Sequence, residues 1–568
     1  MKPVLYRPLA AFTLLALAAC GNQRAPESQV AEVSGVPAEA MDRAEVMYKA
    51  EPSSASSKRS GVTVFGQLRG KAMSAAMMGS RNSYIAAEAR PLRTDTERYQ
   101  KQPENPVKAV AQEPVSTFSI DVDTGSYANV RRFLNNGRLP PKDAVRIEEI
   151  VNYFPYSYSL PQDSRPFAVH TQTVDSPWQP EAKLVKIGIQ AQDTAKKNLP
   201  PANLVFLVDV SGSMNSPDKL PLVKKALRLL TQQLRAQDKV TIITYASGEK
   251  LVLPPTSGKD KDTILRAVNS LEAGGATSGE RALRMAYDEA QKAFVKNGIN
   301  RILLATDGDF NVGVADTETL KSMVAEKRKS GISLSTLGFG ANNYNEEMME
   351  QIADAGDGNY SYIDSEKEAK KVLQHQLTST LATVAQDVKI QVEFNPATVK
   401  EYRLVGYTNR TLRNEDFNND KVDAGDIGSG HSVTALYEII PQGKTGWLAD
   451  SRYQKAPAAD GSKNEYAYVK VRYKLPGQSA SKLIEQPVPA RSIPLAQADA
   501  DTRLALAAAS YAQQLRGGEY NGKLDWSAIE KMAAVTRARD PYGLIAEFRE
   551  LVGIAKSLSS KQPEKQGE

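Results

Sequence analysis

The sequence predicts an α/β fold, a doubly wound and mainly parallel sheet with flanking β-rich and helical modules, on three observations. From residue 203 strand-like and helix-like segments alternate regularly, the order that builds a parallel sheet covered on both faces. The first of these strands, LVFLV at 204–208, is apolar without interruption, as burial on both faces requires. It runs straight into a polar loop, Asp209-x-Ser211-x-Ser213, and sheets of this kind place ligand crevices beyond the carboxyl ends of their strands.

A chain of 568 residues is too long for one core and suggests roughly three or four domains. Its 41% hydrophobic and 24% charged residues exclude a fibrous or wholly disordered class. A net charge of only +6, with no long Lys/Arg block, argues against nucleic-acid binding.

Lys2 and Arg7 precede a short apolar stretch at 9–19, the pattern of an export signal and too short to span a bilayer as a helix. Leu17-Ala18-Ala19-Cys20 resembles the lipobox of bacterial lipoproteins, which implies cleavage before Cys20, its lipidation, and membrane attachment through that lipid alone. Cys20 is the only cysteine, so disulfides and cysteine catalysis are excluded. In enteric bacteria an Asp after the lipidated cysteine retains lipoproteins at the inner membrane. Gly21 and Asn22 follow here, which points to the outer membrane of a bacterial cell envelope.

The domain plan follows from composition and period: signal peptide 1–19, lipidated cysteine and disordered tether 20–115, N-terminal flanking module 116–198, α/β domain 199–380, β-rich module 381–490, helical segment 491–560 and disordered tail 561–568. The tether has a random-coil reach on the order of 50 Å, with one short strand expected at 61–68. Strand 118–122 leads into a helix at 128–135, and a second helix is expected at 145–154. Asp121, Asp123 and Ser126 are read as solvent-facing strand and turn positions rather than metal ligands.

Strands at 167–173 and 183–189 follow. In the α/β domain Leu220, Val223, Leu227, Leu230 and Leu234 recur at helical spacing. Strands are expected at 240–245, 250–253, 301–306, 333–339 and 359–363, and helices at 262–271, 279–294, 317–330, 345–355 and 366–378. Strands at 388–394, 432–440 and 465–473, then helices at 502–515, 526–536 and 542–557, complete the chain.

Two further segments carry oxygen donors at strand ends of the same sheet. Gly274-Gly275-Ala276-Thr277 opens a helix after a glycine turn, and the strand at 302–306 runs into Asp307-Gly308. DVSGS, GGAT and TDG in this order resemble the metal-ion-dependent adhesion site of a von Willebrand factor type A domain, a Rossmann-like fold, over about residues 203–375. The resemblance implies that Ser211 and Ser213 hold a divalent cation directly, that Thr277 joins them when ligand is bound, and that Asp209 and Asp307 bind directly or through water. An acidic side chain of a protein partner completes the shell. Carboxylates and hydroxyls are hard donors that admit Mg²⁺, Mn²⁺ and Ca²⁺ alike, and Mg²⁺ is the cation expected. Two aspartates would balance the ion and leave it receptive to the partner's Asp or Glu.

Glu280 is read as stabilising the first turn of its helix, with a second-sphere role at the metal as the alternative. Asp309 and Asn311 are candidate rim residues. Asp416, Asn418 and Asp420 begin like a calcium loop, but Lys421 and Ile427 stand where an EF-hand needs Gly and Glu, so a solvated turn is expected. His170, His375 and His431 are scattered and read as structural. No P-loop, dinucleotide fingerprint, nucleophile elbow or zincin motif is present.

The stretches STFSIDVDTGSYANVRRFL and LVGYTNRTLRNEDFNNDKVDAGDIGSGHSVTALYEI are similar to modules that flank type A domains in a family of bacterial lipoproteins. The expected function is a lipid-anchored envelope protein that grips an acidic residue of a protein partner through a cation, and not an enzyme. A structural scaffold with a vestigial metal site is the alternative. A metal-dependent hydrolase ranks below both, because only Glu280 and Asp309 offer a general base.

Overall fold

The strands Ala202–Asp209 and Ile299–Thr306 are buried at every position, as the apolar runs at 204–208 and 302–305 require, with Asn203, Asn300 and Arg301 buried beside them. The computed structural model describes residues 96–561, apart from 102, 277–278, 309–316, 450–462, 523, 536–537 and 539. The signal peptide, Cys20, the strand expected at 61–68 and residues 562–568 lie outside the described residues.

The two buried strands sit at the centre of a six-stranded sheet. Its order is Tyr360–Ile363, Ser333–Phe339, Ile299–Thr306, Ala202–Asp209, Lys239–Tyr245, Glu249–Ser257. All pairs are parallel except the last, a hairpin. Side chains of a strand alternate between faces, so Leu204, Phe206 and Val208 enter one core with Val223, Leu227 and Leu230 of the helix Leu220–Gln233. Val205 and Leu207 enter the opposite core with Leu283 and Ala286 of the helix Glu280–Lys292. The helix expected at 366–378 is broken into Glu366–Lys370, a π-helical turn Lys371–His375, and Leu377–Leu381.

The flanking segments are not separate modules, as the domain plan had them. Val115–Ser119 pairs with Thr383–Phe394, and Lys183–Ala191 pairs with Ser432–Pro441, so strands from both sides of the α/β domain complete one antiparallel sandwich. One layer runs Lys108–Ala109, Val399–Val405, Ser432–Pro441, Lys183–Ala191, Phe167–Asp175. The other runs Thr411–Leu412, Val115–Ser119, Thr383–Phe394, Glu465–Lys474, Ser481–Pro489, with Ile427–Gly428 also on Thr383–Phe394. Phe118, Ile187, Ile390, Tyr402, Tyr437 and Val469 fill the space between the layers.

Nor is the last part of the expected tether, residues 96–115, free of the body. Lys108 and Ala109 pair with Tyr402 and Glu401, and Arg98 bridges to Asn345.

The C-terminal helices Ala500–Arg516, Trp526–Val535 and Leu544–Ser559 share a core with the N-terminal helices Gly125–Asn135 and Ile147–Val151, through Tyr127, Ile150, Phe154, Ala508, Tyr511 and Phe548. The α/β domain is thus an insertion in a body built by the two ends of the described chain.

Asp121 and Asp123 are buried, which overturns their solvent-facing reading. Arg410 pairs with Asp123 at 3.1 Å, with Asp121 and Glu350 at 3.4 Å and with Asp354 at 2.6 Å. Asp123 also accepts the backbone N–H of Tyr360 at 2.8 Å. Ser126 is buried too, its hydroxyl donating to Ala144 O. These contacts form a seam between the sandwich and the helix Glu346–Ala355 of the α/β domain, continued by Arg146, which lies 2.6 Å from Glu350 and 3.4 Å from Glu346.

Candidate functional site

Asp209 ends the central strand and is fully buried. Its Oδ1 accepts the Ser211 N–H at 2.8 Å, which turns the chain so that Ser211 and Ser213 bring their hydroxyls to 3.1 Å of one another. Its Oδ2 accepts the hydroxyls of Thr306 at 2.9 Å and Tyr245 at 3.2 Å, from the two neighbouring strands. The strand register places Val208 opposite Ala305, so Asp307, next after Thr306, falls beside the same loop.

The glycine turn is locked onto this loop by two backbone bonds, Gly212 N–H to Gly275 O at 3.0 Å and Gly274 N–H to Val210 O at 2.7 Å. Gly275 has φ +89°, and a Cβ there would lie 2.6 Å from Ser247 Oγ, so glycine is required on both counts. All three predicted segments therefore meet at the carboxyl ends of the sheet. Thr277, Asp309 and Asn311 lie outside the described residues.

Burial pushes the Asp209 carboxyl up to about 6, against the pull of the Ser211 N–H. For Asp307 burial acts in the same direction, but the Lys219 ammonium, 2.8 Å away, overcomes it and holds the carboxyl below its ordinary value. Asp209 is thus a desolvated carboxylate, with no cationic side chain bonded to it among the described residues, beside two hydroxyl oxygens. That donor set fits a hard divalent cation, with Asp209, Asp307, Ser211 and Ser213 as its holders. Among the described residues no group of three or more His, Cys, Asp or Glu side chains is disposed to hold a metal, so any ion here must use the hydroxyls.

Lys219 corrects the expected charge balance, in which two aspartates neutralise the ion. It is buried, donates to Asp307 Oδ2 and to Asn343 Oδ1 at 2.8 Å each, and neutralises one of the two carboxylates. A divalent ion here keeps about one net positive charge. In the sequence Lys219 reads only as the start of the helix Leu220–Gln233, and nothing local separates it from a solvated lysine. Lys219→Met is expected to raise Mg²⁺ affinity by about tenfold, since an ammonium a few ångströms from the ion repels it even at high effective dielectric. Isothermal calorimetry measures this, and unchanged or weaker binding would contradict it.

Glu280 pairs with Arg284 one turn along its helix, as expected of a first-turn acid. The calcium reading of Asp416, Asn418 and Asp420 fails. Asp416 accepts two bonds from Arg413 at 2.9 Å, while Asp420 and Asn418 accept from Arg472 at 3.1 and 3.4 Å, so arginines hold these oxygens. The histidines are not all scattered: His375 and His431 line one cavity, and His170 hydrogen-bonds Ser159 O elsewhere.

Three family models match the chain: von Willebrand factor type A domain over residues 203–376, von Willebrand factor over 93–186, and "Uncharacterized protein YfbK, C-terminal" over 379–558. YfbK of Escherichia coli (strain K12) is 49% identical over 475 residues, 82% of each chain. Protein sll0103 of Synechocystis is 29% identical over 198 residues, 35% of this chain and 46% of that one. Inter-alpha-trypsin inhibitor heavy chain H3 of Mesocricetus auratus is 25% identical over 268 residues, 43% of this chain and 30% of that one. Identity of this degree across four-fifths of both chains, with the type A domain set between the two flanking matches, means that the chain belongs to the YfbK family of von Willebrand factor type A domain proteins.

Proposed function

We propose that this protein is a lipid-anchored component of the bacterial cell envelope, at the outer membrane, which grips an Asp or Glu of a protein partner through a divalent cation, Mg²⁺ first. The observation that carries the reading is the pair of buried carboxylates, Asp209 and Asp307, beside the Ser211 and Ser213 hydroxyls at the carboxyl ends of adjacent strands. Lys219 strengthens it, because an ion left with net positive charge seeks a further anionic ligand. Attachment through Cys20 rests on the lipobox alone. Glu280, one of the two candidate bases of a hydrolytic reading, pairs with Arg284 at 2.9 Å.

The test is titration of Mg²⁺, Mn²⁺ and Ca²⁺ into wild type and Asp209→Ala, followed by capture of envelope proteins in Mg²⁺ and their release by EDTA. Cation binding lost in the variant, with a partner released by EDTA, is the expected result. Partner binding that survives both EDTA and Asp209→Ala sinks the reading.

One observation favours a second reading, a structural scaffold. The Lys219–Asp307 pair satisfies one carboxylate without any ion. If neither wild type nor Lys219→Met binds any of the three cations, that reading takes its place.

A further inference from the structure

A cavity of about 250 Å³ opens between the far edge of the α/β sheet, the sandwich and the last helix, and shares no residue with the cation site. Its wall includes the edge of the sheet with Asn359 and Ser361, the π-helical turn and Thr378 and Ser379 after it, the turn at Ser429–Ser432, and Tyr542 with Leu544, and N-terminal residues around Thr124 and Phe154 also line it.

Its chemistry is neutral and hydroxyl-rich. The side chains of Asn359, Ser361, Thr378, Ser379 and His431 have no hydrogen-bond partner among the described residues, and His431 Nδ1 is buried without one. Donors and acceptors left over in a partly buried cavity must be met by water or by a ligand. A buried cation in the wall, Lys371, is already spent: it lies 3.0 Å from Glu368 Oε1 and 3.8 Å from the centre of the Tyr153 ring. Asp193 at the rim further disfavours an anion. His431 stays uncharged at neutral pH, because burial and then the Lys371 charge push it down to about 4.

The mouth adds a flat apolar face. Tyr542, 39% exposed, stacks on His375 at 4.2 Å between centroids and 27° between planes. An aromatic face beside a hydroxyl-lined pocket matches the two sides of a pyranose, C–H groups on the ring face and hydroxyls around the edge. The helix widens into a π turn at this wall, a feature frequent at functional sites. The volume suits one ring and not a long ligand, being just under the usual small-molecule range of about 300 to 1,000 Å³.

The geometry points to a second binding site in this cavity, one that takes a neutral, single-ring saccharide by hydrogen bonds from Ser361, Thr378, Ser379 and His431 and by stacking on Tyr542. It depends on neither the cation site nor its partner.

The experiment is saturation-transfer NMR and calorimetry of the full chain with glucose, galactose and N-acetylglucosamine, in EDTA so that the cation site is silent. Inorganic phosphate and acetate serve as the anionic probes. At least one sugar is expected to bind with a dissociation constant of about 10 mM or tighter. Ser361→Leu, which fills the cavity, should weaken it by about tenfold or more, and Tyr542→Ala by about threefold to tenfold. Tyr542 is exposed, so its variant keeps the test valid if Ser361→Leu does not fold. The inference is overturned if none of the sugars binds wild type, if binding is unchanged in Tyr542→Ala, or if phosphate or acetate binds there in place of every sugar.

Discussion

Arg131→Ala should cost the folded protein about 3 to 5 kcal/mol, because it takes the paired cation from buried Asp364 and one of two from each of Glu368 and Glu547. The Arg131 guanidinium is 3% exposed and bonds Asp364 through Nε at 2.8 Å and Nη2 at 2.5 Å. It also bonds Glu368 at 2.7 Å, Glu547 at 2.8 Å and the Tyr153 hydroxyl at 2.9 Å. Those partners come from the α/β domain, the last helix and the N-terminal segment, so one side chain joins three regions that are remote in sequence.

For Glu368, burial alone would raise the carboxyl, but Lys371 and Arg131 reverse the shift and hold it at about 2. In the variant Glu368 keeps Lys371 at 3.0 Å, while Asp364 and Glu547 lose their bonds to Arg131. Urea unfolding followed by circular dichroism measures the loss. A change below about 1 kcal/mol would show that the network is no stronger than a surface pair.

Raising the pH from about 5 to about 9 should weaken the seam between the α/β domain and the sandwich, and Glu350→Gln should remove much of that dependence. Carboxylates outnumber the guanidiniums there: Arg146 and Arg410 face Asp121, Asp123, Glu149, Glu346, Glu350 and Asp354. Burial pushes Glu350 up to about 8, more than Arg146 and Arg410 pull it down, and Asp354 and Glu346 push the same way as burial. Asp123, Glu149 and Glu346 are raised as well, burial first in each case.

A carboxyl raised on folding binds more protons in the folded state between its unfolded and folded values. Stability is therefore fully present below about 4.5 and is lost as pH climbs through about 8. The loss is on the order of 1 to 3 kcal/mol, since the charges share two arginines. Glu368 and Asp307, both lowered, lose their contributions only at acid pH, so they do not mask the effect. Thermal melts across the range check it. Stability that rises with pH over this window in wild type would contradict the protonated seam.

The sequence was most legible where a short-range pattern meets a single physical demand. The strand Ser333–Phe339 was placed to the residue, and the other strands of the α/β sheet to within a few residues, because period and apolarity are local. Val399–Val405 was missed because Glu401 and Arg403 interrupt its apolar run, although both are buried. Arg403 meets Glu438 at 3.0 Å and Gln513 at 2.9 Å, partners supplied by another strand and a distant helix. Ser481–Pro489 was missed for its prolines, which an edge strand tolerates.

The sequence by itself determined the doubly wound sheet and the order of its strands along the chain, since period and apolarity are local, while Asp209, Ser211, Ser213 and Asp307 were joined into one site through the resemblance of their motifs to a type A domain. Only the tertiary structure decided that residues 96–198 and 381–561 make one body, that Lys219 enters the site, and that His375 and His431 meet at one cavity. Asp121 and Asp123 belong with these: as a strand with a turn they look solvated, and they are buried because Arg410, 287 residues from Asp123, reaches them. Pairings of that kind are set by the long-range closure of the chain, which leaves no mark on local periodicity.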